Sequence, residues 1–335
     1  MSLPAGTGTG IGSMPGTDPR EAASIINGEL DFAHLAELPA RGVGADMIGR
    51  MAAILVDLPM DAGVTGYRLA QRGSSVTRRA RDFLSADLDA VEELWDSAGF
   101  IGTGRPFKVQ MCGPFTLSAS VELANGHKVL RDAGARRDVV ASTAEGVREL
   151  VAEVTRRLGA EVIVQLDEPM IGAVIDGTVT PLTRLDPIRP VPVADVAEAF
   201  TELVEHTGRP VIVHDCATPR WDLVERLRGV AWSLDVTAPT TADFDGIGGL
   251  IDRGDVLVAG IVPCTRGDRT VRAETVATRL AALTDRIGLN RKVLARNVIV
   301  SPTCGLAGAT PEWANAALGI CAQAGELVSS DPAAL

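Results

Sequence analysis

Short runs of apolar, β-branched residues alternate along this chain with longer stretches in which apolar positions recur every three or four residues. The first kind reads as strand and the second as helix. Eight strand runs are predicted, at 10–13, 36–41, 107–112, 161–167, 210–214, 230–236, 256–261 and 297–301. Helical patterns fall at 141–158, 193–206, 221–228, 271–287 and 311–327, so most strands are separated by helices. That alternation is the signature of βαβ units on a parallel sheet. Eight of them in 335 residues predict an α/β fold, a single-domain (β/α)8 TIM barrel, with a doubly wound open sheet as the alternative. The segment 58–96, between the second and third strands, is longer than a connection requires. It carries helical stretches around 67–71 and 87–95 and reads as an elaboration on the barrel. Residues 1–9 and 329–335 are expected to be loose ends flanking a barrel at 10–328.

Composition narrows the partner. The formal charge is -11, from 32 Lys and Arg against 43 Asp and Glu, and no basic run interrupts it. A nucleic-acid or anionic membrane surface is therefore not expected, and a small molecule is. No uninterrupted apolar stretch approaches the length of a membrane span, and the first residues lack a charged region followed by an apolar one. Five cysteines scattered through the chain do not form a disulfide framework, which suits a reducing, cytoplasmic compartment.

Chemistry concentrates where strands end. His214, Asp215 and Cys216 follow the apolar run 210–213, and Cys304 follows the run 297–301. Successive side chains of an extended chain point to opposite faces, so His214 and Cys216 share one while Asp215 turns away. Each alone would read as a buried thiol or a strand-end histidine. Together they outline a three-ligand metal site of the kind zinc prefers. Two sulfur donors make such an ion a poorer activator of water than a three-histidine set, and better suited to a bound thiol. Ser13, Asp167 and Asp235 also lie at strand ends, the face on which a barrel builds its site.

A conventional zinc hydrolase is disfavoured. The other histidines, His34, His127 and His206, have no metal spacing and read as surface or helix-end residues. Gly6, Gly8, Gly10 and Gly12 do not fit a phosphate-binding loop. Cys112 and Cys264 lie near strand ends, and Cys321 lies in the last helix; core packing is the expected role of all three.

Five short motifs in order carry a family resemblance. They are Ile11-Gly12-Ser13-Met14-Pro15, Gly113-Pro114-Phe115-Thr116, Asp167-Glu168-Pro169, His214-Asp215-Cys216 and Cys304-Gly305-Leu306. With them the chain resembles the catalytic, C-terminal barrel of cobalamin-independent methionine synthase, within the larger group that includes uroporphyrinogen decarboxylase. The resemblance implies zinc-dependent methyl transfer to a thiol, with homocysteine giving methionine. His214, Cys216 and Cys304 match the family's zinc ligands, and Asp235 stands where the family has a ligating glutamate. Asp167 matches the carboxylate for the substrate ammonium, and Ile11, Gly12 and Ser13 match the loop that receives the substrate carboxylate. Glu168 is expected to tie neighbouring strands together rather than to touch substrate.

Three departures qualify the substrate. The family's second ammonium-binding glutamate should lie shortly before an Asp-Met pair, yet 41–45, before Asp46 and Met47, holds no acid. Residues 305–309 lack the basic residues of full-length synthases. The additional N-terminal barrel that serves methyl-tetrahydrofolate in those synthases has no counterpart in this sequence. A methylcorrinoid (methylcobalamin) presented by a corrinoid protein, or another activated methyl donor, is therefore expected in place of folate. The alternatives are a corrinoid-dependent or epoxide-directed transferase acting on another small thiol, and a non-catalytic zinc- or thiol-binding barrel.

Overall fold

The computed structural model describes residues 3–183, 185–265 and 271–335. Nine strands occur in it: β1 (Ala33–His34), β2 (Met60–Ala62), β3 (Tyr67–Leu69), β4 (Pro106–Cys112), β5 (Glu161–Asp167), β6 (Val211–Asp215), β7 (Ala231–Asp235), β8 (Leu257–Val262) and β9 (Val298–Pro302). Seven of these form one parallel sheet in the order β1-β4-β5-β6-β7-β8-β9, and β2 and β3 form a separate antiparallel hairpin.

The N-terminal segment fills the eighth position. Thr9 N–H donates to the Val300 carbonyl on β9 and Val300 N–H to the Thr7 carbonyl, both at 2.9 Å. On its other side Met14 N–H donates to the Glu37 carbonyl at 2.8 Å, just past β1. One extended segment thus spans the first and last strands of the sheet. The parallel strands with intervening helices form the TIM-barrel-like fold that the alternation predicts.

Several expectations are corrected at this end of the chain. Residues 6–9 are not a loose end, because Gly6 and Thr9 are bonded to β9; Met1 and Ser2 lie outside the described residues. The run 10–13 makes one isolated bridge, Ser13 to Glu37, rather than a regular strand; the pairing with β9 ends before it, at Gly8 and Thr9. The second strand falls at Ala33–His34 rather than 36–41, where Pro39–Arg41 forms a 3-10 turn. Proline supplies no N–H to a ladder there. His34 is consequently in the barrel interior, 1% exposed, and not at a surface. At the C-terminus the last helix, Pro311–Ser330, runs into the segment expected to be loose.

Within the elaboration, 67–71 is not helix: Tyr67–Leu69 is the second strand of the hairpin. Gly63 N–H donates to the Gly66 carbonyl at 2.6 Å and closes the turn. Gly66 sits at a φ of 137°, which side-chain-bearing residues avoid. The predicted helix near 87–95 belongs to a longer one, Ser75–Ala98, capped by the Ser74 hydroxyl.

The barrel interior is graded. Phe32, Ile163, Ile212, Ala231, Val258 and Ile299 form an apolar cluster of their own, distinct from the larger core between sheet and helices. Toward the strand C-termini the buried residues become polar: Gln110, Gln165, Asp167, His214, Ser233 and Ser301, with Lys108 among them. The apolar plug shuts one end, so the open chemistry is confined to the other.

Candidate metal centre

β6 and β9 lead to three side chains, His214, Cys216 and Cys304, that could hold a metal ion. His214 and Asp167 are register partners on β6 and β5, and His214 and Ser233 are partners on β6 and β7. His214 is 3% exposed; its Nδ1 lies 2.9 Å from the Ser233 hydroxyl, and its Nε2 has no partner. With Nδ1 engaged, Nε2 is the atom free to bind. Beyond the strand, Asp215 Oδ1 accepts from Ala217 N–H at 2.9 Å, and this turn carries Cys216 back toward His214. Asp215 itself faces away from the centre, as alternation requires.

Cys304 is held from two sides. Thr303 N–H donates to the Val262 carbonyl and Leu306 N–H to the Ser13 carbonyl, both at 2.8 Å. Between them a Cβ at Gly305 would overlap the Ser13 hydroxyl, so a larger residue there would turn that hydroxyl aside. The sequence neighbours of Cys304 are thereby packed on the loop that contains Ser13.

The donor atoms of His214, Cys216 and Cys304 all lie within 4.8 Å of one another. In a tetrahedral zinc site, bonds of about 2.3 Å to sulfur and 2.0 Å to nitrogen put donors roughly 3.5–3.8 Å apart, so the set fits with small adjustments. Its electrostatics fit as well. The Cys304 thiol is drawn down to about 4, first by a hydrogen bond from Cys216 and then by His214, while Cys216 is pushed far up. The pair shares one proton as it stands, and both sulfurs can be thiolates only with a cation between them. Burial also raises Asp167, with Cys304 adding to the shift. A dication answers the orphaned imidazole nitrogen and the surplus of acidic groups together.

Asp235 is not brought into this cluster. It is exposed at the end of β7, and its Oδ1 accepts from Thr237 N–H at 2.8 Å and from the Thr237 hydroxyl at 2.6 Å. The carboxylate is used in its own turn, as its short side chain favours.

Next to the triad lies an acidic recess. Asp167 is 6% exposed and its Oδ1 accepts from Gln165 Nε2 at 2.7 Å. The loop Ile11–Ser13 borders it: the Ile11 carbonyl accepts from Gln165 Nε2 at 2.9 Å and from Lys108 Nζ at 2.7 Å. Gly12 packs against Gln110, where a Cβ would fall 2.6 Å from the side chain. Burial pulls the Lys108 ammonium down to about 7 against the pull of Asp167 and Glu37.

Glu37 is the residue that sequence reasoning missed. It is 5% exposed, its Oε1 has no hydrogen-bond partner, and Arg50 Nε stands 3.9 Å away. Burial raises it to about 7; Arg50 opposes the shift and Asp167 adds to it. A buried acid thus stands just past β1, while 41–45 supplies none. Its signal was present: a carboxylate at the end of an apolar run, the criterion that selected Asp167. Glu168 behaves as expected. Its carboxylate accepts from Phe115 N–H, Thr116 N–H and the Thr116 hydroxyl at 2.9, 2.7 and 2.7 Å, tying β5 to the turn after β4.

The other histidines are elsewhere: His34 is buried and held neutral, its pKa lowered to about 3 by burial and then Lys108. His127 is half-buried in a loop, and His206 is exposed beside Glu145. Cys112 and Cys321 are buried and Cys264 is half-buried. Among the described residues no helix is long and apolar enough to cross a membrane.

Among solved structures, the B12-independent methionine synthase from Shewanella sp. W3-18-1, in complex with selenomethionine, is similar at a TM-score of 0.62 and 13% identity. The match covers 99% of this chain and 100% of that one. A methyltransferase from Methanosarcina mazei is similar at a TM-score of 0.53 and 14% identity, covering 90% of this chain and 82% of that one. At these identities the likeness establishes the fold. No curated protein matches the chain. The sequence itself, however, matches the model of the cobalamin-independent synthase catalytic domain over residues 5–326. The chain belongs to that family of methyltransferases.

Proposed function

We propose that the protein is a zinc-dependent methyltransferase that methylates the thiol of homocysteine to give methionine. The observation that carries this reading is the convergence of His214, Cys216 and Cys304 within 4.8 Å, beside an acidic recess on the open face of the barrel. His214 Nε2 and the two sulfurs would hold the ion. When bound, zinc supplies the positive charge that keeps a coordinated thiol deprotonated at neutral pH.

The chain's own residues handle the rest of the acceptor. Asp167 and Glu37 are both buried carboxylates whose ionised forms are disfavoured. An ammonium group between them would relieve that cost, which selects a cationic head group. The Ser13 hydroxyl and the backbone of Ile11 and Gly12 receive the carboxylate across the recess. With both ends of the amino acid fixed, the sulfur is aimed at the donor, and alignment together with exclusion of water supplies the acceleration. In the step itself a sulfur lone pair forms the S–CH3 bond while the bond from methyl to the donor breaks, its electrons leaving with the donor.

A family described as cobalamin-independent gives no support to the methylcorrinoid donor or the corrinoid partner protein expected from the sequence, and neither is part of this reading. Asp235 is likewise left out of the ligand set.

The test combines metal analysis with methyl transfer. Purified protein should contain zinc and form methionine from homocysteine when methyl-tetrahydrofolate and S-methylated donors are offered separately. Cys304→Ser should lose both metal and turnover. Full zinc occupancy with unchanged turnover in that variant would overturn the proposal.

A further inference from the structure

Lys108 is fully buried inside the barrel, and nothing in the reaction proposed above uses it. A buried ammonium is costly, and neighbouring interior positions are filled by Ile163, Ile212 and Val258, so an apolar side chain would serve packing better. What distinguishes Lys108 is what it holds. Its Nζ donates to the Ile11 carbonyl at 2.7 Å and to Gln165 Oε1 at 2.6 Å. Gln165 Nε2 donates to the same Ile11 carbonyl at 2.9 Å and to Asp167 Oδ1 at 2.7 Å.

The orientation of this network is determined. The Ile11 carbonyl can only accept, so Gln165 turns its amide protons toward Ile11 and Asp167 and its Oε1 toward Lys108 Nζ. The joined residues come from the N-terminal segment, β4 and β5; β4 and β5 are paired along their length, but among the described residues no backbone ladder joins the N-terminal segment to either. Gln165 occupies Oδ1 of Asp167, and among the described residues no donor reaches Oδ2.

We propose that Lys108 and Gln165 are positioning residues that lock the Ile11–Ser13 loop to Asp167, so that the carboxylate and ammonium of one α-amino acid are met at a fixed spacing. The inference rests on the amino-acid acceptor of the preceding reading. It adds that head-group recognition depends on two side chains that touch neither the acceptor nor the metal.

The test is equilibrium binding to the zinc-loaded protein, comparing homocysteine with 2-mercaptoethanol, a thiol that lacks both head groups. Lys108→Met removes the donors at similar length; Gln165→Glu keeps the acceptor for Lys108 and loses both donated bonds. Each variant should weaken homocysteine binding by about 10–100-fold, the usual penalty for removing a group that orients a ligand-binding residue, and leave zinc content and 2-mercaptoethanol affinity unchanged. Amide hydrogen exchange at Gly12–Met14 should speed up in Lys108→Met. Equal loss of both thiols, or unchanged homocysteine binding, overturns the inference. Should Lys108→Met not fold, Gln165→Glu decides alone. Wild-type protein that binds the two thiols alike would instead overturn the amino-acid acceptor itself, a result visible before any variant is made, and this inference would fall with it.

Discussion

His214 Nδ1 lies 2.9 Å from the Ser233 hydroxyl across the β6–β7 ladder, and this contact decides which imidazole nitrogen faces the two cysteines. Ser233 is fully buried, so no water competes for the bond. Replacing Ser233 by alanine should leave the fold intact while freeing the ring to rotate and change tautomer. Zinc affinity, measured by competition with a chelator, is expected to fall about 10–100-fold. Unchanged affinity would mean that the ring is held by packing alone.

Glu37 carries the second prediction. Its folded pKa is raised to about 7, so the carboxylate that would pair with an ammonium group forms only as pH rises through neutrality. Homocysteine binding should therefore tighten between pH 6 and 8. Glu37→Gln cannot ionise, and should bind more weakly at pH 8 by about tenfold, the lower range for a lost charge-assisted hydrogen bond. The same variant should flatten the pH profile. Calorimetric titration across this range checks both, and a wild-type profile unchanged in Glu37→Gln would remove Glu37 from the head-group site.

The contrast between Glu37 and Cys304 shows what the sequence made legible. His214 and Asp167 close regular parallel strands and Cys216 and Cys304 follow them, and strand-end position is readable from an apolar run ending in a reactive residue. Glu37 lies past a strand of only two residues, Ala33–His34, which pairs with β4, and Glu37 itself bridges Ser13 of the N-terminal segment. Periodicity cannot place so short an element. Asp235 failed for another reason: its position in the strand was legible, but its preference for the Thr237 amide and hydroxyl over the cluster is a matter of side-chain length. The Lys108 network was hidden because a lysine inside a strand run reads as solvent-facing until closure of the barrel buries it.

Glu168 should set part of the stability profile. Its pKa rises from 4.5 to about 7 because burial penalises the anion more than its hydrogen bonds to Thr116 and Phe115 favour it. The folded state thus holds a proton that the unfolded chain releases at lower pH. Its stabilising contribution is complete below about 4.5 and is lost as pH rises through about 7. Glu37 titrates in the same direction. Melting temperatures from pH 5 to 8 should fall less steeply in Glu168→Gln than in the wild type. An identical slope would show that Glu168 stays ionised throughout.

The elaboration between β1 and β4 is tied to the recess by a buried charge array. Asp87, on the helix Ser75–Ala98, accepts from Arg41 at 2.8 and 2.9 Å and from Arg50 at 2.9 Å, and Arg50 continues to Glu37 at 3.9 Å. Asp87 and Arg50 are each 2% exposed, so Arg50 cannot turn to water if the carboxylate is removed. Asp87→Ala should destabilise the fold by about 3–5 kcal/mol, the usual cost of breaking a buried ion pair from one side. Asp87→Asn keeps one acceptor and should lose less. Chemical denaturation measures the difference, and because Arg50 would then lack its partner on the helix side, its charge should act more strongly on Glu37. Homocysteine binding by Asp87→Asn should accordingly reach its full strength at a lower pH than in the wild type, an outcome that separates electrostatic coupling through Arg50 from simple loss of packing.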